Sequence, residues 1–263
     1  MNLQAISIVV AVNDRTILEA NLLRSPLLAP GHPHQLLVQE GFACAGLAYN
    51  AALDAVTQDI VVFVHQDIYF PGCWLDDLMQ TIKLLKDDGK DWGVLGCFGA
   101  RADAEPGLGE VYSTGWGVHG TPLKAPERVE TLDEIVLVIR KSCGLRFDPL
   151  LPHYHLYGAD LCLTARSVNL PSYVIPTFCI HNTRQLLHLP MDYFRCYRYV
   201  KRKWAQYLPI HTSCIKISRF DGHALFKRFE ATVNKMLGRR QSASPRIDDP
   251  RTVLPSRFAI PEQ

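Results

Sequence analysis

The sequence predicts an α/β fold with a mostly parallel central sheet and helices on both faces. Two observations predict it. Short, continuously apolar, β-branched runs recur from the N-terminus, as strands buried on both faces require. Stretches with helical apolar spacing separate them, which is the alternation expected of strand–helix–strand units. A chain of 263 residues with 48% hydrophobic and 21% charged residues can bury one large core. We read one domain over residues 1–237 and a polar, flexible tail over 238–263.

The elements follow in order. Ile6 to Val12 reads as a buried strand that stops at Asn13-Asp14. Arg15 to Leu27 has helical spacing and ends at Pro26 and Pro30. Gln35 to Gln39 is a short strand, Ala45 to Val56 a small-residue helix, and Ile60 to Val64 a fully apolar strand ending at His65-Gln66-Asp67. Pro71-Gly72 opens an amphipathic helix, Trp74 to Leu85, and Trp92 to Phe98 reads as a third buried strand. Residues 99–127 are rich in Gly and Pro and read as a long excursion with short strands; long loops in compact domains are usually functional. Ile135 to Ile139 is a strand, Tyr157 to Arg166 a short helix, and Tyr173 to Ile180 a strand. Met191 to Tyr207 is a helix bearing Arg195, Arg198, Lys201, Arg202 and Lys203.

Bulk properties narrow the function. A net charge of +2 gives no electrostatic case for a nucleic-acid partner. The N-terminus has neither a basic n-region nor a cleavage site, and no apolar run approaches the ~20 residues that span a bilayer. The expected location is cytoplasmic or peripheral to a membrane. Eight cysteines include no C-x-x-C pair, so they read as small core residues rather than as a zinc or redox motif.

In an open α/β sheet, ligands bind beyond the carboxyl ends of the strands. Two apolar runs end there in polar residues, at Asn13-Asp14 and at His65-Gln66-Asp67. Asp67 suits a divalent cation, Mn²⁺ or Mg²⁺, bridging to substrate phosphates; it suits a turn cap before Pro71-Gly72 equally well. There is no P-loop, and Gly93, Gly96 and Gly99 do not have the dinucleotide spacing, so a phosphate ligand would need a metal or basic side chains. Trp116, between Gly115 and Gly117, reads either as a sugar-stacking platform or as a plug under its loop. His153-Tyr154-His155 reads as a loop beside an acceptor cleft, with His155 facing acceptor. The basic helix is either a solvated face or an attachment to anionic lipid.

Several segments together resemble the family-2-like glycosyltransferases of the GT-A, nucleotide-diphospho-sugar transferase fold. Asp59 to Ile68 is similar to that group's strand, with His65-Gln66-Asp67 in place of the usual Asp-x-Asp. Ala45 to Leu53 resembles the preceding helix, whose Asn, here Asn50, lies near the nucleotide. Val129 to Glu134 resembles the strand that presents an acidic residue, here Asp133, to the donor sugar. Phe147-Asp148-Pro149 and Tyr157 to Cys162 resemble the block whose helix start carries the catalytic base, here Asp160, and Ile180-His181-Asn182 the late strand whose His completes the metal site. The resemblance spans residues 6–185. It departs at His65, where an Asp is usual, and at Glu134, where a Gly is common.

The resemblance implies metal-assisted sugar transfer from a nucleoside-diphosphate sugar to a hydroxyl of a glycan or lipid-linked acceptor. Asp160 would act as general base, giving inversion. Asn13, Asp14, Asn50, Gln66 and Asp133 would bind the donor, Asp67 and His181 (with His65) the metal, and Trp116 and His155 the acceptor. The nucleotide half would lie near 1–100 and the acceptor half near 101–237. A second expectation is a GT-A-shaped protein without catalysis, suggested by His65. A nucleotidyltransferase is disfavoured, since Val12-Asn13-Asp14-Arg15 is not a Gly-rich basic loop.

Overall fold

The computed structural model describes residues 4–184, 189–222 and 244–258, with isolated positions between 225 and 236. In chain order the strands are β1 (Ser7–Val12), β2 (Gln35–Glu40), β3 (Ile60–His65), β4 (Ile68–Tyr69), β5 (Val94–Gly96), β6 (Phe98–Arg101), β7 (Ala104–Ser113), β8 (Gly117–His119), β9 (Glu127–Val129), β10 (Thr131–Leu132), β11 (Val136–Arg140), β12 (Ser172–Val174) and β13 (Phe178–His181). The helices are α1 (Arg15–Ala20), α2 (Ala45–Ala55), α3 (Trp74–Asp87), α4 (Tyr157–Ser167) and α5 (Met191–Lys203).

The central sheet has the order β2-β1-β3-β11-β5-β12-β9. The expectation of a mostly parallel sheet holds for strand direction: β2, β1, β3, β5 and β12 point one way. The neighbours, however, are mixed, because β11 inserts antiparallel between β3 and β5, and β9 is an antiparallel edge. A β3-to-β5 crossover through α3 leaves a gap that β11 fills from later in the chain.

Alternate residues of β3 explain the two layers of helices. Val61 and Phe63 enter a core with α2, α4 and α5, while Ile60, Val62 and Val64 enter a second core with α1 and α3. Both faces are therefore dry, as the unbroken apolar run requires.

A second, smaller sheet runs β10-β6-β7-β13-β4, with β8 beside β7. It accounts for two corrections. The apolar run from Trp92 to Phe98 is two strands, β5 and β6, in different sheets. The run from Tyr173 to Ile180 likewise divides into β12 and β13 around Pro176, which cannot donate to a ladder. The helix expected over Arg15 to Leu27 is shorter: α1 ends at Ala20, where the Asn21 side chain donates to the Ile17 carbonyl at 2.8 Å, and two 3-10 turns follow. Likewise α5 ends at Lys203, with a 3-10 turn over Ala205–Tyr207.

Part of the tail, expected to be disordered or loosely draped, is described. Residues 244–258 are seated on the domain: Asn182 exchanges hydrogen bonds with Ile247, Pro250 is buried, and Phe258 stacks on Phe178 at 4.4 Å between ring centroids. Residues 238–243 and 259–263 lie outside the described residues.

Candidate active site

The two sheets meet where β3 ends. His65 closes β3, the chain turns through Gln66 and Asp67, and β4 then pairs with β13 so that Ile68 lies opposite His181. The Asn182 N–H donates to the Asp67 carbonyl at 2.8 Å, which locks that turn. One ligand atom each from His65, Asp67 and His181 lies within 4.8 Å of the others. His181 Nε2 is 3.4 Å from Asp67 Oδ1. Ligand atoms on one cation with bonds of about 2.1 Å lie at most about 4.2 Å apart, so a bound cation would draw this cluster inward.

The tautomer of His65 follows from its hydrogen bonds. The Tyr157 hydroxyl donates to the Glu134 carbonyl at 3.1 Å, so its one proton is committed. His65 Nε2, 2.9 Å from that hydroxyl, must then be the donor, which leaves Nδ1 as the lone-pair nitrogen. Tyr49, 3.3 Å away, can be the second donor to the same oxygen. Burial pushes the His65 imidazole down to about 4, with Asp67's charge opposing, so the ring is neutral as a ligand must be. Burial alone would raise the Asp67 carboxyl, but the charge and hydrogen bond of His181, aided by His65 and Arg246, hold it well below the usual carboxylate range. His181 is the reverse case: burial would lower it, and Asp67 raises it.

A cleft of about 360 Å³ opens beside this cluster at the carboxyl ends of β1 and β3. Ala11 to Asn13 and His65 to Asp67 form its floor, with Phe42, Tyr154 and Tyr157 as aromatic walls. Gln66 ties the two strand ends together: its Oε1 accepts from the Asn13 and Asp14 N–H groups at 3.1 and 3.2 Å, and its Nε2 donates to Asn13 Oδ1. Asp133 bears electrostatically on both His65 and His181, and its carboxylate accepts from Ser213. Beside it, Glu134 accepts from the Leu156 N–H, and burial, then the Asp133 charge, push its carboxyl up to about 8. Leu156 and His153 have positive φ, of 61° and 57°, at the approach to α4, a backbone strain that bulky residues rarely carry. Gly158 permits the fit, since a Cβ there would lie 2.8 Å from the Leu132 carbonyl oxygen.

Three expected site residues have other duties. Asp160 is 1% exposed and absent from the cleft lining. Lys203 lies 2.8 Å from its Oδ1, where the Trp204 indole N–H also donates at 2.7 Å, and Lys203 is 2.9 Å from its Oδ2. Its place in the first turn of α4 turns it toward α5. Asn50 clasps Phe147 through both backbone groups, at 2.8 and 3.0 Å, and does not line the cleft. Asp14 caps α1 by accepting from Thr16 N–H at 2.9 Å and also lies outside the lining.

The two acceptor candidates, Trp116 and His155, lie outside the cleft lining. Trp116 is 69% exposed in the β7–β8 turn, where the Thr114 N–H donates to the His181 carbonyl. The exposure removes the plug reading. His155 packs on Tyr193 and its charge reaches His65.

Arg246 was not foreseen. Its Nη2 lies 3.5 Å from Asp67 Oδ2, and its Nε donates to the Asn182 carbonyl at 3.1 Å. Nothing in local pattern signals a contact spanning 179 residues. Tyr157 was foreseen only as a helix start.

No family model matches the chain. A curated protein of Fuscovulum blasticum, described as ATP synthase subunits region ORF 6, is 28% identical over 158 residues, 57% of this chain and 61% of that protein. Among solved structures, the chain is similar to TarS residues 1–349 of S. aureus, with a TM-score of 0.46 and 14% identity over 76% of this chain and 65% of that one. It is also similar to the mannosyltransferase PcManGT of Pyrobaculum calidifontis in complex with GDP-Man and Mn²⁺, with a TM-score of 0.47 and 13% identity over 77% and 63%. GalNAc-T7 with UDP, GalNAc and Mn²⁺ matches at a TM-score of 0.46 and 12% identity over 89% and 55%. The chain thus spans less than two thirds of the length of each of these proteins.

Proposed function

We propose that this chain is a GT-A-type glycosyltransferase of the family-2-like group that moves a sugar from a nucleoside-diphosphate sugar to an acceptor hydroxyl. The observation that carries the proposal is the His65–Asp67–His181 cluster on the floor of an aromatic-walled cleft at the strand ends. Such a cleft fits a planar base between side walls and a diphosphate over the cluster. Two imidazoles and one carboxylate suit Mn²⁺ better than Mg²⁺, which prefers all-oxygen shells. The cation, when bound, neutralises charge on the leaving diphosphate.

The chain's own residues do the rest. Tyr157 orients His65, and Gln66 fixes the β1 and β3 ends beneath the donor. Arg246 adds a fixed positive charge beside Asp67 for the diphosphate. Asp133 contacts the donor sugar. Trp116 and His155 receive the acceptor, and transfer inverts the anomeric carbon with a base other than Asp160.

Thermal unfolding with UDP, GDP and other nucleoside diphosphates, each with and without Mn²⁺, tests this. A ligand at a hundredfold excess over Kd adds about 2.7 kcal/mol of stability. A Mn²⁺-dependent shift that Asp67→Ala abolishes is expected.

Arg246 also favours a second reading, a GT-A-shaped binder without catalysis, because its guanidinium stands beside the carboxylate a cation would use. Under that reading no nucleotide gives a Mn²⁺-dependent shift.

A further inference from the structure

The segment after α5 leaves the site and ends on an apolar surface. Ser213 reaches Asp133, and seven residues later Phe220 stands 87% exposed. The backbone is helical at 222, 225, 226, 229, 233 and 236. At about 100° per residue these positions share an arc of about 100°. They carry Leu225, Phe226, Phe229 and Met236, exposed at 61%, 60%, 67% and 82%. A row of exposed large apolar side chains on one helical face marks an interaction surface.

The surroundings are cationic. A groove of about 490 Å³ is lined by Arg198, Lys201 and Arg202 of α5 together with Arg219 and Asp221. Among the described residues no helix is long and apolar enough to cross a membrane.

We infer that this chain docks on anionic lipid bilayers through Phe220, Leu225, Phe226, Phe229 and Met236, with phospholipid headgroups held in the adjoining basic groove. An apolar face beside clustered Arg and Lys is the combination that lies in a bilayer interface: the side chains enter the acyl boundary and the cations meet phosphates. A second copy of the chain is a poorer occupant, because a twofold contact here would set the two basic grooves against each other.

Vesicle co-sedimentation reads this surface without reference to sugar transfer, so its outcome is separate from that of the proposed reaction. The protein should sediment with phosphatidylcholine vesicles containing phosphatidylglycerol at low salt and be released by high salt. The double variant F226S/F229S should bind about tenfold more weakly or worse, and R198A and R202A about fivefold more weakly each. All these side chains are at the surface, and unchanged thermal unfolding verifies that the variants are folded. No sedimentation with anionic vesicles at low salt overturns the inference. So does equal binding by F226S/F229S, or a solution dimer, seen by light scattering, that the same variant dissolves.

Discussion

Replacing Asp160 by asparagine and by alanine separates a structural carboxylate from a catalytic one. In the structure its Oδ1 accepts from Trp204 Nε1 at 2.7 Å and lies 2.8 Å from Lys203 Nζ, while Lys203 keeps a second partner, Asp148, at 2.7 Å. Burial pushes the Asp160 carboxyl above its usual range even though Lys203 and Trp204 pull it down. The ion pair therefore does not fully offset the desolvation of the charge. Asparagine removes the charge, keeps the volume and keeps an acceptor for the indole, so it should change stability by no more than about 1 kcal/mol. Alanine leaves the Trp204 N–H without an acceptor and opens a void, and should cost about 3 kcal/mol. The sign with pH follows from linkage: the native state holds this proton more tightly than the unfolded chain, whose value is near 3.8. Wild-type stability should thus fall as pH rises from there through the raised native value, and Asp160→Asn should lack that slope. Urea unfolding across pH gives the stabilities, and donor consumption per folded molecule gives the rate. The reasoning is refuted if Asp160→Asn keeps full stability yet loses turnover a hundredfold or more, the signature of a missing general base.

Other expectations follow from the same geometry. Tyr157→Phe removes the acceptor that fixes the His65 tautomer, so Mn²⁺ affinity measured by calorimetry in the presence of nucleoside diphosphate should drop roughly tenfold to a hundredfold. Burial holds Glu134 at about 8, above its ordinary value of 4.5. Its burial therefore costs increasing stability as pH rises between those values, by a few kcal/mol at most. Glu134→Gln should flatten that decline in urea titrations. Trp116→Ala should raise the acceptor KM while leaving the nucleotide-induced thermal shift unchanged, because the ring is exposed and does not line the cleft.

The parts of the fold that could be read from the chain were those decided locally. The runs Ile6 to Val12 and Ile60 to Val64 are apolar at every position because helices cover both faces, and α2 and α3 show their own periodicity. What could not be read was where a strand changes sheets. Trp92 to Phe98 is uniformly apolar, yet β5 and β6 pair with different partners, and only long-range pairing decides that. Tyr173 to Ile180 did carry a signal, Pro176, which a continuous strand does not tolerate. In the site, the strand-end rule located Asp67 and His65, and the resemblance added His181. It also supplied Asp160 and Asn50, whose partners in three dimensions, Lys203 with Trp204 and Phe147, use up their polar atoms. Charge spacing on a helix does not reveal which cation a buried carboxylate will meet.

The seating of residues 244–258 has a consequence for how the protein is made. Asn182 and Asp67 receive Ile247 and Arg246 only after some sixty further residues have been synthesised. A nascent chain can fold both sheets and bring His65, Asp67 and His181 together while that side of the cluster is still open. Chains shortened between residues 222 and 246 would therefore be folded but unfinished, with Asp67 missing one of the charges that hold it ionised. A nick or stop between residues 222 and 244 should show itself as altered site chemistry before it shows as unfolding.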